Sequence, residues 1–268
     1  MKPSLQLLLR VLVLFFIYSC TKTADNIKLP ETKPKLVVGC FLSPQDSLIT
    51  LTLTRSNPIF GAHHNTINTN DAVPDADVFI SDGSQTNKLM YDNGKYTLSQ
   101  MVLPVVAGKI YTLNISTPDG NSVSATCTVP ISNAPALDIT FDTTGTNKKI
   151  FIHWQDIADE TNYYKFFGRE QLVNSFSADT SYSWFYYTVA DAFGTTGGEM
   201  NSEKIMNKNS LAYDFYLLNM DVHYFKYNLS LEKNTNSGLF SQGVPLYSNI
   251  KNGLGVFCSL QASHVRIP

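Results

Sequence analysis

Leu36-Val37-Val38-Gly39-Cys40-Phe41-Leu42 and, a few residues on, Ile49-Thr50-Leu51-Thr52-Leu53-Thr54 decide the fold class. In the first stretch Leu36, Val38, Cys40 and Leu42 fall on one face; in the second Ile49, Leu51 and Leu53 alternate with threonines. A period of two is that of a strand, whose successive side chains point to opposite sides of a sheet. Both stretches therefore read as β-strands with one apolar face, and the chain reads as all-β.

Working outward, Ser56 to Val73 is polar and Asn-rich, with Pro58 and Gly61, and reads as a long loop. Strands resume at Asp77 to Ser81, and Asp82-Gly83 and Asn93-Gly94 mark hairpin turns because their central residues must accept positive φ. Tyr111, Leu113 and Ile115 make another strand, Pro118-Asp119-Gly120 turns it, and Val123, Ala125, Cys127 and Val129 complete the set. Several short strands with no helical segment predict an immunoglobulin-like β-sandwich over 35–130. After a connector at 131–135, a second β pattern fills 136–268. Ile150, Ile152 and Trp154 share a face, an acidic turn runs from Asp156 to Asn162, and Tyr163 to Gly168 is an aromatic strand. This looks like a fibronectin type III-like β-sandwich with insertions, its indole packed in the core with the N–H needing one partner. Ser181 to Thr188 predicts a further strand and Thr195 to Asn201 a loop. Asp221 to Lys233 favours a short helix capped by Asp221, although His223, Phe225, Tyr227 and Leu229 also fit a strand. Gly253 to Phe257 leads into a final strand. The expectation is two tandem β-sandwiches.

The N-terminus carries a different signal. Lys2 precedes an apolar run that is uninterrupted from Val11 to Ile17 and too short to span a hydrocarbon core, which takes roughly 20 residues. Ile17-Tyr18-Ser19-Cys20 resembles a bacterial lipobox, so residues 1–19 are expected to be a cleaved signal peptide and Cys20 the lipidated first residue of the mature chain. A thiol between an apolar run and a polar tail suits acylation, because the acyl chains enter the bilayer while the protein stays in water. Residues 20–34, with Pro30 and Pro34 and no periodicity, read as a flexible tether. The membrane is thus an expected partner, reached through the lipid.

Composition narrows the function. Twenty Lys and Arg against 22 Asp and Glu give a formal charge of −2, which excludes the clustered basic footprint of a nucleic-acid binder. Apart from Cys20 there are Cys40, Cys127 and Cys258, an odd number for an oxidising compartment. Cys40 and Cys127 lie near the two ends of the first sandwich, where a disulfide between neighbouring strands is one reading and buried free thiols the other. Cys258 has no evident partner.

No HExxH zinc helix, CxxC pair, GxSxG elbow or phosphate-cradling GxxxxGK[ST] loop is present. His63 and His64 are adjacent, so on an extended chain they point to opposite sides and read as a solvated pair rather than metal ligands. Asp156, Asp159 and Glu160 form an acidic cluster lacking the spacing of a calcium loop, and read as a polar turn; a hydrolytic role would need them to meet a distant histidine such as His153. Asn114-Ile115-Ser116 and Asn228-Leu229-Ser230 match glycosylation sequons by accident. The expectation is therefore no metal, no cofactor and no catalysis. The segment with binding potential is the aromatic run, where Tyr182, Trp184 and Tyr186 share one side of a strand and could stack against sugars or peptide side chains.

Several motifs together resemble a known family. Leu36-Val37-Val38-Gly39-Cys40-Phe41-Leu42-Ser43-Pro44, Leu53-Thr54-Arg55-Ser56-Asn57-Pro58-Ile59-Phe60, Val73-Pro74-Asp75-Ala76-Asp77-Val78 and the stretch Val244-Pro245-Leu246-Tyr247-Ser248-Asn249-Ile250-Lys251-Asn252-Gly253-Leu254-Gly255-Val256-Phe257 are similar to those of Bacteroidetes outer-membrane lipoproteins of the domain of unknown function 4249. The resemblance covers most of the mature chain, and its last motif is the most specific. It implies an outer-membrane lipoprotein, often encoded beside TonB-dependent receptors, and hence an accessory of nutrient uptake; it assigns no catalytic residue. A surface glycan-binding or adhesin module is the alternative. Within the last motif, Gly253 and Gly255 predict close backbone approaches.

Overall fold

A computed structural model describes residues 33–57, 72–142, 144, 148–173, 180–190, 199–206, 210–235 and 244–268. Residues 1–19 with the expected signal peptide, Cys20, most of the expected tether, and His63 and His64 lie outside the described residues. Among the described residues fifteen strands and one helix follow in order: β1 (Leu36–Leu42), β2 (Leu48–Arg55), β3 (Asp77–Ser81), β4 (Thr86–Lys88), β5 (Met90–Asp92), β6 (Lys95–Ser99), β7 (Ile110–Ser116), β8 (Ser122–Thr128), β9 (Asp138–Asp142), β10 (Lys148–Gln155), β11 (Tyr163–Val173), β12 (Thr180–Ala190), β13 (Glu199–Met206), β14 (Ser210–Met220), α1 (Val222–Thr235) and β15 (Leu254–Ile267). The fold is all-β and sandwich-like, as the alternation requires. Glu199 to Asn201, expected to be loop, opens β13 instead, paired with Trp154, His153 and their neighbours on β10.

In the N-terminal half, β5, β6, β2 and β1 pack across an apolar core from the sheet β4-β3-β7-β8. The alternating residues read from the sequence are the ones inside: Leu36, Val38, Cys40, Leu42, Ile49, Leu51, Leu53, Leu113 and Ile115 are buried. Two buried tyrosines pin loops to this core. The Tyr96 hydroxyl donates to the Val73 carbonyl at 2.7 Å and accepts from the Ala76 N–H at 2.9 Å. The Tyr111 hydroxyl donates to Pro104 at 2.7 Å and accepts from Val106 at 2.8 Å. Asn93 and Gly94 take positive φ between β5 and β6, as their hairpin signal predicts.

In the C-terminal half, β13-β10-β9 faces β12-β11-β14-β15 across a second core of Ile150, Ile152, Trp154, Tyr164, Phe166, Tyr213, Phe215 and Leu217. The Trp154 ring lies parallel to Phe166 at 6.3 Å and meets Tyr164 edge-on at 6.1 Å. The expected partner for its N–H is not found among the described residues.

One strand belongs to both halves. Residues 254–259 of β15 run parallel to β1, from Val37↔Leu254 to Leu42↔Ser259, and residues 260–267 run antiparallel to β14, from Met220↔Leu260 to Tyr213↔Ile267. The two cores are distinct, but a single eight-stranded sheet, β12-β11-β14-β15-β1-β2-β6-β5, passes through both. Gly255 makes the junction possible: its φ is +97°, and a Cβ there would collide with the Val38 carbonyl. Helix α1 covers the outer side of this sheet near the junction. Tyr224 meets Phe41 edge-on at 5.2 Å, and Phe225 stacks on Tyr163 at 4.6 Å. Asp221 caps the helix by accepting from the Tyr224 N–H at 2.8 Å. That decides 221–233 for helix. Asn228 of the second sequon is buried under it, bonded to Lys165 and to the Tyr224 carbonyl.

Cys40, Cys127 and Cys258 are buried free thiols. The Cys40–Cys127 bridge is therefore corrected: the two residues serve as small apolar core groups, and burial pushes the Cys40 thiol up to about 12.

Candidate ligand-binding face

Strand register builds a composite surface on the outer side of β12, β11, β14 and β15. Phe166, Phe215 and Tyr213 point into the core, so the residues between them point away from it. Cross-strand partners share a face. Trp184, Arg169, Asp214 and Arg266 thus form one row, from Arg169↔Trp184, Arg169↔Asp214 and Asp214↔Arg266. Phe167, Tyr216 and His264 form the next, with Tyr186 at the register position opposite Phe167, and Tyr182 and Gln171 lie opposite each other beyond the first row. On the other side, α1 bounds the surface where Tyr163 and Lys165 carry it.

Asp214 is the hub. Its side chain is 5 % exposed, and it accepts from Arg169 Nε at 2.8 Å, with His264 Nε2 at 3.1 Å and an Arg266 amine at 3.7 Å. Burial by itself would raise its carboxyl, but the hydrogen bonds from Arg169 and His264 and the two guanidinium charges outweigh that and hold it below the usual carboxylate value. Arg169 is also fixed from above, its guanidinium 4.8 Å from the Tyr182 ring centre and 5.4 Å from that of Trp184. Arg266 is committed less: its second amine reaches Gln171 Oε1 at 3.5 Å, and its side chain is 56 % exposed.

The aromatic row stands upright. Phe167 and Tyr216 are 4.8 Å apart at 9° to one another, and Tyr216 and His264 are 4.4 Å apart at 18°. Parallel rings on neighbouring strands at such separations must be face to face, because rings lying side by side in one plane cannot come so close. Trp184, from the neighbouring row, lies 6.1 Å from Phe167, tilted by 34°. The ladder therefore buries its ring faces against one another and turns ring edges, the electropositive part of the quadrupole, outward. Of the three residues expected to form a platform, Tyr182 (47 % exposed) and Trp184 (55 % exposed) are on this surface, while the Tyr186 side chain lies outside the described residues. Their faces are partly occupied by Arg169, so the surface is cationic and edge-rich rather than a bare stacking floor.

The acidic turn lies elsewhere. Asp159, Glu160 and Asn162 line a cleft of about 330 Å³ with Asn219, Asp221 and His223, between the two cores. The acidic side chains there hold the turn together, since Glu160 accepts from Ser132 Oγ at 2.7 Å and Asp156 accepts from the Tyr164 hydroxyl at 2.7 Å. Burial pushes Asp221 up to about 7, even though the backbone of Tyr224 and of Ser259 donates to it. His153 alternates with the core residues Ile152 and Trp154 and so faces away from them. No group of three or more His, Cys, Asp or Glu able to hold a metal occurs among the described residues.

Sequence reasoning found Tyr182 and Trp184 but missed Arg169, Asp214, His264 and Arg266, along with Phe167 and Tyr216. These come from three further strands, and only the register between strands unites them. The available signal was a short alternation of charged and aromatic residues on each strand: Lys165, Phe167 and Arg169 on β11, Asp214 and Tyr216 on β14, and His264 and Arg266 on β15.

Fold and face together define an all-β protein with two packed cores, one shared sheet and a composite aromatic and charged surface. The chain belongs to the family described as Domain of unknown function (DUF4249), whose model matches residues 23–266. No curated protein matches it. Among solved structures it is similar to a chain described as "Cytokine receptor complex - Crystal form 1A", at 11 % identity and a TM-score of 0.27, covering 86 % of this chain and 94 % of that one. A likeness at that score carries no argument about function.

Proposed function

We propose that this protein is a lipid-anchored, non-catalytic binding component of the cell envelope that captures a ligand on the outer face of β12-β11-β14-β15 and works with a TonB-dependent outer-membrane receptor in nutrient uptake. The observation that carries the binding part is the face itself. A buried carboxylate organises two arginines and a histidine, and exposed Trp184 and Tyr182 flank them. Pre-ordered, partly exposed aromatic and arginine side chains are the residue types that dominate binding energy. The lipobox at Cys20 supports the anchor, and the family resemblance supports the receptor. Placed at the end of a short tether, the face would hold its ligand within reach of a transporter in the same membrane.

The test is co-purification. Native membranes solubilised in mild detergent are expected to yield the protein together with a TonB-dependent receptor, and mass spectrometry of the mature protein should find an acylated Cys20. Recovery of the protein alone, under conditions that hold other transporter complexes together, refutes the accessory role. The second reading, a surface glycan-binding or adhesin module, is favoured by the same exposed aromatics; it predicts glycan binding by cells displaying the protein without any receptor.

A further inference from the structure

We infer that the ligand captured on this face is a carboxylated glycan, gripped through its carboxylate by Arg266 beside His264 and through its sugar ring by Trp184 and Tyr182. The inference rests on the binding role proposed above and names the chemistry of that site.

Charge comes first. The rows carry Arg169, Arg266 and His264 against Asp214, and Asp214 is already saturated beneath them. A surface with two guanidinium groups and one enclosed carboxylate keeps a net positive charge. The outward ring edge of Phe167 adds to the same sign. The complement is an anion. Arg266 is the group free to take it: with contacts only at 3.5 and 3.7 Å, it retains N–H donors in the planar fork that matches a carboxylate. Arg169, bonded to Asp214 and stacked under two rings, supplies charge and holds the aromatics in place.

Size comes next. Among the described residues, four strands at about 4.8 Å spacing and four residues along β11 give a patch roughly 14 Å by 13 Å. That is well short of the about 800 Å² per partner that a stable protein interface covers, and it suits two or three sugar rings. Trp184 and Tyr182, each about half exposed, stand next to the cationic row, where the C–H face of a ring can lie while its carboxylate reaches Arg266. An acidic peptide would satisfy the arginines but would leave this adjacency unused.

The experiment is calorimetric titration of the full lipidated protein in detergent with oligogalacturonate, with the same oligomer methyl-esterified, and with poly-glutamate. The acid oligomer should bind at least about tenfold more tightly than the ester, a difference of about 1.4 kcal/mol, and more weakly as salt is raised. Arg266→Ala should abolish that preference, and Trp184→Ala should weaken both oligomers; both positions are exposed, so an unchanged far-ultraviolet circular dichroism spectrum and melting temperature are expected to confirm folding. Equal binding of acid and ester overturns the anion selectivity while leaving a binding protein. Poly-glutamate competing as well as the oligomer at equal carboxylate concentration overturns the sugar assignment in favour of an acidic peptide. No heat from any of the three overturns the inference, and receptor recovery still decides the accessory role separately.

Discussion

The two halves solve the same packing problem with different side chains. The N-terminal core is largely aliphatic, built on Leu36, Val38, Leu42, Ile49, Leu51, Leu53, Ile80 and Leu113, with Tyr96 and Tyr111 acting as hydrogen-bonded pins. The C-terminal core is mainly aromatic, with Trp154, Tyr164, Phe166, Tyr213 and Phe215 stacked across it. Three of its strands are also longer: β11, β12 and β14 have eleven residues each, whereas β1 and β2 have seven and eight. The extra length matters. Strands this long extend past the area that α1 covers and leave a stretch of outer face on which the charged and aromatic rows stand. The N-terminal half contributes the junction with β15, and the C-terminal half contributes the surface.

The shared sheet is most vulnerable at Gly255. Ala there needs a positive φ and drives a Cβ into Val38. Because β15 completes both halves, we expect loss of folding, a cost above about 3 kcal/mol, read as loss of the cooperative melt of both. For the same reason the unmodified protein should give one calorimetric transition; two separate transitions would show that the halves are independent.

Next in size is truncation inside each core. Phe215→Ala should cost about 3–5 kcal/mol, and Leu51→Ala about 2–5 kcal/mol, in chemical denaturation. What sharpens the contrast is a shape-changing swap: Phe215→Leu should open a stacking gap in the aromatic core, whereas Leu51→Met should be nearly neutral in the aliphatic one.

Asp214→Ala should be less damaging to stability, on the order of 1–3 kcal/mol, because Arg169 loses its partner but can reach solvent. It should also release the Tyr182 and Trp184 rings from their cation, which tryptophan fluorescence would register.

Asp221 gives a pH dependence belonging to the junction. Its folded value, raised by burial from 3.8 to about 7, means the folded state holds a proton that the unfolded state has lost across that interval. Its contribution is fully present below about 4 and is lost as pH rises through about 7. Melting temperatures of the wild type and Asp221→Asn should therefore diverge between these limits, with the wild type losing ground as pH rises; parallel curves would refute the assignment. The smallest stability effect belongs to Trp184→Ala, within about 0.5 kcal/mol as for other exposed positions, so that any loss of binding is separable from folding.

Much of the fold was legible in the residues. Alternation located β1, β2, β7 and β8 and named the side chains that each buries, because a half-buried strand must alternate, while β3 was placed without its inward face being named. Asn93-Gly94 fixed its hairpin, and the approach of backbone at Gly255 was readable from the glycine itself. Helix α1 was ambiguous by periodicity, since its apolar residues fit both periods, and burial against Phe41 and Tyr163 settled it.

Other features had no local signature. A parallel pairing between β1 and a strand more than two hundred residues later leaves no mark in either segment, because pairing is chosen by the shared cores. The thiols of Cys40 and Cys127 could not be told from a disulfide by spacing. The charged and aromatic face is the clearest case: Arg169, Asp214, His264 and Arg266 carry no signal singly, and register alone sets them side by side. Sequence determined which residues point in and which point out, since that depends only on the two-residue period of each strand. Tertiary structure decided which of the outward residues become neighbours, since that depends on hydrogen-bond register between strands far apart in the chain.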